Sequence, residues 1–218
     1  GLLHDCGKIT TPVHVVDKSS KLQTLFDRIH LIDIRFEVLK RDAEIDMLNQ
    51  KIAALNDGAT DTTQIEAACR ERIAQLDDDR AFLRKANIGG EFMSPPLQQR
   101  VKEIGAYHWV DENGQESDFL SEEEILNLNI AKGTLTAEER EIINQHVVST
   151  INMLQALPWP SHLKHVPEYA GGHHERMDGR GYPNGLKGSD MPVQARIMAI
   201  ADIFEALTAK DRPYKEGK

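Results

Sequence analysis

The chain has 218 residues, 40% of them hydrophobic, and a formal net charge of -9. That apolar content is enough to bury a core and excludes wholesale disorder, while an acidic chain without a basic block excludes charge-driven binding to a DNA or RNA polymer or to a membrane surface. Two cysteines without framework spacing, Cys6 and Cys69, no signal peptide and no long apolar run point to a reducing, cytoplasmic setting.

Residues 1–20 read as the end of a helix followed by a loop around Thr10, Thr11 and Pro12. The uncapped start at Gly1 and the abrupt end at Lys218 read as cuts in a longer polypeptide, with a sensor domain expected upstream. From Leu25 a heptad stripe begins: Leu25, Ile29, Ile32, Phe36, Leu39 and Ala43. The phase then slips, and Ile45, Leu48, Ile52 and Leu55 are expected to continue the stripe until Asn56, Asp57 and Gly58 stop the helix. A second helix carries Ile65, Cys69, Ile73, Leu76 and Leu83, with Thr62 or Thr63 as cap and Asn87 to Gly90 as its end. The first helix would be roughly 45 Å long at the α-helical rise. Two such helices with a short connection predict an antiparallel hairpin, a coiled-coil arm that packs on itself or on a second subunit.

Ser94, Pro95 and Pro96 open a short helix, and Asn113-Gly114 marks the turn of a small β-ribbon within residues 106–119. Ser121 and Thr136 each start a helix by the capping-box pattern; the second runs through Leu154 and is ended by Pro158 and Pro160. A short helix is expected over His162 to Ala170, a glycine-rich loop over Asp178 to Asp190, and an apolar helix over Ala195 to Ala209. The fold class is therefore all-α.

Chemistry concentrates in four places: His4-Asp5 with Lys8 one turn on, His146, His173-His174, and Asp202 inside an otherwise apolar helix. Imidazole nitrogen mixed with carboxylate oxygen suits Fe, Mn, Zn or Ni better than Mg or Ca. A carboxylate can bridge two such ions, which together hold a water and a phosphate. Asp202 lies on a run expected to be buried, where an unpartnered carboxylate costs several kcal/mol and so needs a cation or donors. The plain alternatives are that His146 is a surface helix residue and that His173-His174 caps a helix end. His14, His30, His108, His162 and His165 have no comparable context and read as ordinary surface or core histidines. In the loop after the paired histidines, Arg176 and Arg180 offer forked donors for phosphate or guanine edges. Tyr182 either stacks on a base or staples the loop to the core.

These motifs resemble the HD-GYP family, bacterial phosphodiesterases of cyclic di-GMP on the all-helical HD-domain fold. His4-Asp5-Cys6-Gly7-Lys8 is similar to its HD-x-G-K element, and Thr134 through His146 to the helix that supplies the next histidine. His173-His174-Glu175-Arg176, Asp178-Gly179 and Gly181-Tyr182-Pro183 match the signature that names the family, and Ala201-Asp202 with Arg212 and Lys215 its last metal helix and the basic residues after it. The resemblance covers residues 1–24 and 130–218 and implies an HD-domain helical bundle there, with residues 25–129 as an inserted hairpin and linker. It implies that His4, Asp5, His146, His173, His174 and Asp202 ligate two or three divalent ions, iron or manganese, with Asp5 bridging. Asp5 and Lys8 would be catalytic, and Lys8, Arg176, Arg180, Tyr182, Arg212 and Lys215 would face the substrate. The expected reaction is hydrolysis of cyclic di-GMP, or a related cyclic dinucleotide, to linear pGpG or GMP, by a homodimer joined through the arm. Two alternatives stay open: an inactive sensor or scaffold, and an HD phosphohydrolase for another nucleotide. The family's further histidine and glutamate ligands fall before Gly1, and Lys210-Asp211 looks like one extra residue before Arg212.

Overall fold

A computed structural model describes residues 3–90, 92–111 and 113–208. In chain order, a 3-10 turn over Cys6–Thr10 precedes α1 (Val13–Val16), α2 (Ile29–Asn56), α3 (Thr63–Ile88) and α4 (Pro95–Gly105). A ribbon of β1 (His108–Val110) and β2 (Glu116–Asp118) follows, then α5 (Glu122–Leu128), α6 (Ala137–Gln155), a 3-10 turn over Ser161–Leu163, α7 (Val166–Gly171) and α8 (Val193–Thr208). The ribbon is antiparallel with Trp109 opposite Ser117, so the fold is all-α, as the sequence predicts. The chain divides into two compact units, Ser20–Thr134 and Gly1–Ser19 with Leu135–Lys218.

The Ser20–Thr134 unit contains the hairpin. Ile29, Ile32, Phe36 and Leu39 line the inner face of α2 and share one core with Leu76 and Leu83 of α3 and with Val101, Phe119 and Leu128. The rings of Phe36 and Phe119 lie 4.6 Å apart. Charged groups at the edge of this core are paired. Asp33 takes Arg80 Nε at 2.8 Å and Arg84 Nε at 2.9 Å, and Asp79 takes Arg100 at 2.8 Å and the Tyr107 hydroxyl at 2.7 Å.

The second half of the α2 stripe departs from expectation. Ile45, Leu48, Ile52 and Leu55 are exposed. The step from Ala43 to Ile45 is two residues, which turns the stripe by about 200° onto the opposite face. Leu25 is also exposed and lies before the helix begins. At the far end Gly89 caps α3 with φ 70, and a Cβ there would lie 2.7 Å from the Gly133 carbonyl.

Both edges of this unit are tied in by hydrogen bonds. The amides of Lys21 and Leu22 donate to the Asn87 carbonyl and side-chain oxygen, each at 2.8 Å, and Lys21 Nζ donates to the Leu128 and Ile130 carbonyls at 2.9 Å. Burial pushes the Lys21 amine down to about 8. These ties draw residues 20–24 and 130–134 into the arm's unit, whereas the motif pattern sets the limits at 24 and 130.

The other unit is built round α6. Thr136 Oγ1 accepts from the Glu139 amide and Glu139 accepts from the Thr136 amide, a complete capping box. The same carboxylate takes buried Lys18 at 2.7 Å. The expected helix over His162 to Ala170 is divided, because Pro167 has no amide to continue a helix and instead sits in the first turn of α7. Helix α8 does not bury its apolar run. Among the described residues only its Ala195 is buried, and Ile197, Ile200, Ile203 and Phe204 are exposed. No described helix is long and apolar enough to cross a membrane.

Candidate metal centre

The 3-10 turn that begins after Asp5 lies directly on the backbone of α6. The Gly7 amide donates to the buried Thr150 hydroxyl at 2.9 Å, and a Cβ at Gly7 would stand 2.0 Å from the His146 carbonyl oxygen. Only glycine permits that approach. It carries Asp5 to the buried imidazole of His146, one helical turn before Thr150 on the same face of α6.

Two groups of ligand-type side chains result, and Asp5 belongs to both: Asp5 with His146, His173 and His174, and Asp5 with His4 and Asp202. Within each group the donor atoms lie within 4.8 Å of one another. Asp5 Oδ1 is 3.2 Å from His146 Nε2 and 3.6 Å from His173 Nε2. Asp5 Oδ2 faces Lys8 Nζ at 2.5 Å and His4 Nε2 at 3.5 Å, and His4 Nε2 is 3.5 Å from Asp202.

The far side of each buried ring explains this aim. His146 Nδ1 bonds the Ile143 carbonyl, and His173 Nδ1 the Ala170 carbonyl at 2.5 Å. A carbonyl only accepts, so both Nδ1 atoms carry hydrogen and each ring turns its Nε2 inward, toward Asp5. Asp5 Oδ1, His146 Nε2 and His173 Nε2 are all buried without a hydrogen-bond partner. Three lone-pair atoms converging without a donor fit a divalent cation. Burial first, then the neighbouring His173 and His146, pushes His174 down to about 4, so this imidazole is neutral at neutral pH, the form that ligates metals.

The other predicted site residues divide. Tyr182 stacks on His174 with ring centroids 4.8 Å apart and 14° between planes. Burial, then the charges of Asp202 and Asp5, pushes its hydroxyl up to about 12. Arg176 is exposed and engages Asp178 at 2.8 Å, within the loop itself. Arg180 is exposed, and its amide donates to the same Asp178. Arg212 and Lys215 lie outside the described residues. His14, His30, His108, His162 and His165 are all exposed. The expected burial of the Asp202 helix is corrected: the carboxylate is half-covered, on a helix with an exposed apolar face.

Glu175, part of the signature that follows the paired histidines, was given no role of its own from sequence. It is buried, and its two carboxylate oxygens accept from the Asn184 amide at 2.7 Å and the Leu186 amide at 2.8 Å. It closes the glycine-rich loop beside His173 and His174. The signal was its place directly after the paired histidines, where a carboxylate can reach loop amides.

An all-helical unit with a His/Asp cluster of this kind is what the HD-GYP resemblance leads one to expect. The HD domain family model matches residues 122–218. The chain is 29% identical to a probable cyclic di-GMP phosphodiesterase of Vibrio cholerae, over 93% of this chain and 45% of the relative, a match that takes in the arm. It is 44% identical to a cyclic di-GMP phosphodiesterase of Thermotoga maritima over 39% of this chain and 23% of the relative. It is also 44% identical to 3'3'-cGAMP-specific phosphodiesterase 2 of Vibrio cholerae, over 38% of this chain and 16% of the relative. These relatives agree with the HD-GYP resemblance, and the chain spans less than half of the length of each.

Proposed function

We propose that this chain is the catalytic part of a metal-dependent phosphodiesterase that opens cyclic di-GMP to linear pGpG or GMP. The observation that carries the reading is the Asp5 carboxylate, whose two oxygens face two separate histidine-bearing groups. In this reading His146, His173 and His174 would hold one ion and His4 and Asp202 a second, with Asp5 within reach of both. The mixed nitrogen and oxygen donors favour iron or manganese. Bound ions would supply Lewis acidity toward the phosphoryl group and lower the pKa of a coordinated water toward neutrality.

The chain's own residues do the rest. The carbonyls of Ile143 and Ala170 fix the tautomers of His146 and His173. Lys8, a turn beyond Asp5 and partly exposed, places an ammonium where a phosphate oxygen develops charge. Tyr182, held flat against His174, offers a ring to the substrate base. The His and Asp set that the chain does carry speaks against a purely scaffolding role, in which nothing would keep these unpartnered atoms buried together.

A second substrate reading rests on the relatives, because the 3'3'-cGAMP-specific enzyme matches at the same identity as the cyclic di-GMP enzyme. A panel of cyclic di-GMP, 3'3'-cGAMP and linear pGpG, given to iron- or manganese-loaded full-length protein, tests both. Turnover of cyclic di-GMP is expected. Preference for 3'3'-cGAMP would move the substrate assignment, and no turnover of any member would refute the enzyme.

A further inference from the structure

The outer face of α2 carries a second heptad seam. Leu31, Ile34, Val38, Arg41, Ile45, Leu48, Ile52 and Leu55 follow one another in unbroken steps of three and four. They lie opposite the inner stripe of Ile29, Ile32, Phe36 and Leu39. Ile45, Leu48, Ile52 and Leu55 are 54%, 51%, 57% and 55% exposed, along the half of the helix furthest from the unit's core. A lone surface leucine needs no explanation, but a continuous apolar seam with coiled-coil spacing does.

We infer that this seam is an interface with a second copy of the chain, formed by two α2 helices running antiparallel about a two-fold axis between Ile45 and Leu48. A two-fold contact is self-complementary, as one repeating seam requires. Charge decides the direction. In the parallel arrangement Arg41 meets Arg41, and Glu37 at a g position faces Asp42 at the e position of the other helix. In the antiparallel arrangement Ile45 packs opposite Leu48, Val38 opposite Leu55 and Arg41 opposite Ile52, where the arginine stem covers apolar surface and its head reaches water. Glu44 then stands beside Lys51 of the second copy, twice by symmetry, and Asp42 beside Asn49. Lys51 already contacts Glu66 within its own hairpin, and an ammonium has donors for both carboxylates. The overlap covers on the order of 1,000 Å² over the two copies, the lower bound for a specific interface.

The mass of the full chain in solution, read by sedimentation and light scattering at about 10 µM, tests this, since interfaces of modest size reach roughly micromolar affinity. The expected species has twice the 24.5 kDa of one chain. Leu48→Glu with Ile52→Glu should reduce it to a single chain with unchanged helical circular dichroism, while Ala53→Glu, on the same helix but off the seam, should leave the dimer. Zero-length carbodiimide coupling of mixed light and heavy-nitrogen protein should give a Glu44–Lys51 peptide between copies. Within one helix those residues are two turns and about 10 Å apart, too far for a direct link. A native chain that stays single, a dimer that survives the double variant, or a dimer without the Glu44–Lys51 link would each overturn the inference. None of these readouts depends on hydrolysis, so the interface stands or falls apart from the proposed activity.

Discussion

Asp5 Oδ1 and His146 Nε2 face each other at 3.2 Å, both buried, with the other ring nitrogen of His146 committed to the Ile143 carbonyl. Two acceptors at that distance repel unless a cation or a proton lies between them. Asp5→Asn keeps the shape and removes the charge, and His146→Ala removes a nitrogen donor. Each is expected to lower bound iron or manganese, measured by plasma mass spectrometry on the purified protein, and to reduce hydrolysis at least about 100-fold. Native metal content in either variant would remove these residues from the site.

Gly7→Ala tests whether the site depends on the close approach of the first turn to α6. The added Cβ would meet the His146 carbonyl at 2.0 Å and the Thr150 amide and hydroxyl at 2.6 Å. Backbone atoms have little room to yield, so the turn must lift, at a cost of about 3 kcal/mol or more. The expected result is loss of metal and a lower unfolding midpoint. A Gly7→Ala protein with native metal content would show that Asp5 reaches its place by another route.

Much of this was legible in sequence, for reasons specific to each element. The capping boxes at Ser121 and Thr136 are local, so the residues that make them stand three apart and declare themselves. The His/Asp cluster was readable because each of its residues sits in a motif of its own, although His146 alone would pass for a surface histidine. The Gly7–Thr150 bond spans 143 positions, and no local pattern announces it. The arm shows the opposite failure. The pattern was visible, but a two-residue step reads as a slip in one stripe when it is in fact a change of face. The burial of α8 failed in the same way, because apolar composition does not say which neighbour covers a helix.

Glu175 should act by positioning rather than by contact with substrate. Glu175→Ala leaves the Asn184 and Leu186 amides without their acceptor, which costs about 1–3 kcal/mol per buried group and frees the loop that carries Tyr182. The expected effect is a rise in KM larger than the fall in kcat, with partial rescue by Glu175→Gln, whose single carbonyl can still accept. Equal loss in both variants with metal retained would assign the carboxylate charge itself to catalysis.

Two buried groups in the arm's unit give pH dependences of opposite origin. Burial opposes the charge of Glu124, but Arg35 at 2.8 Å and the Ser121 amide prevail, and its carboxyl lies below the ordinary glutamate value. A lowered carboxylate contributes stability that is complete above its unfolded pKa and is lost as pH falls through the folded one. Lys21 is lowered to about 8 from 10.5 by burial. Between those values the unfolded chain binds the extra proton, so stability rises with pH there and is level below about 8. Urea unfolding followed by Trp109 fluorescence in a Trp159→Phe background reports this unit. Glu124→Gln should cost on the order of 2–3 kcal/mol at neutral pH and flatten the acid limb, because Arg35 keeps part of its guanidinium in water and is not fully stranded. Lys21→Met should abolish the alkaline rise while leaving the acid limb as it was. An alkaline rise that persists in Lys21→Met would place the titrating group elsewhere in the unit.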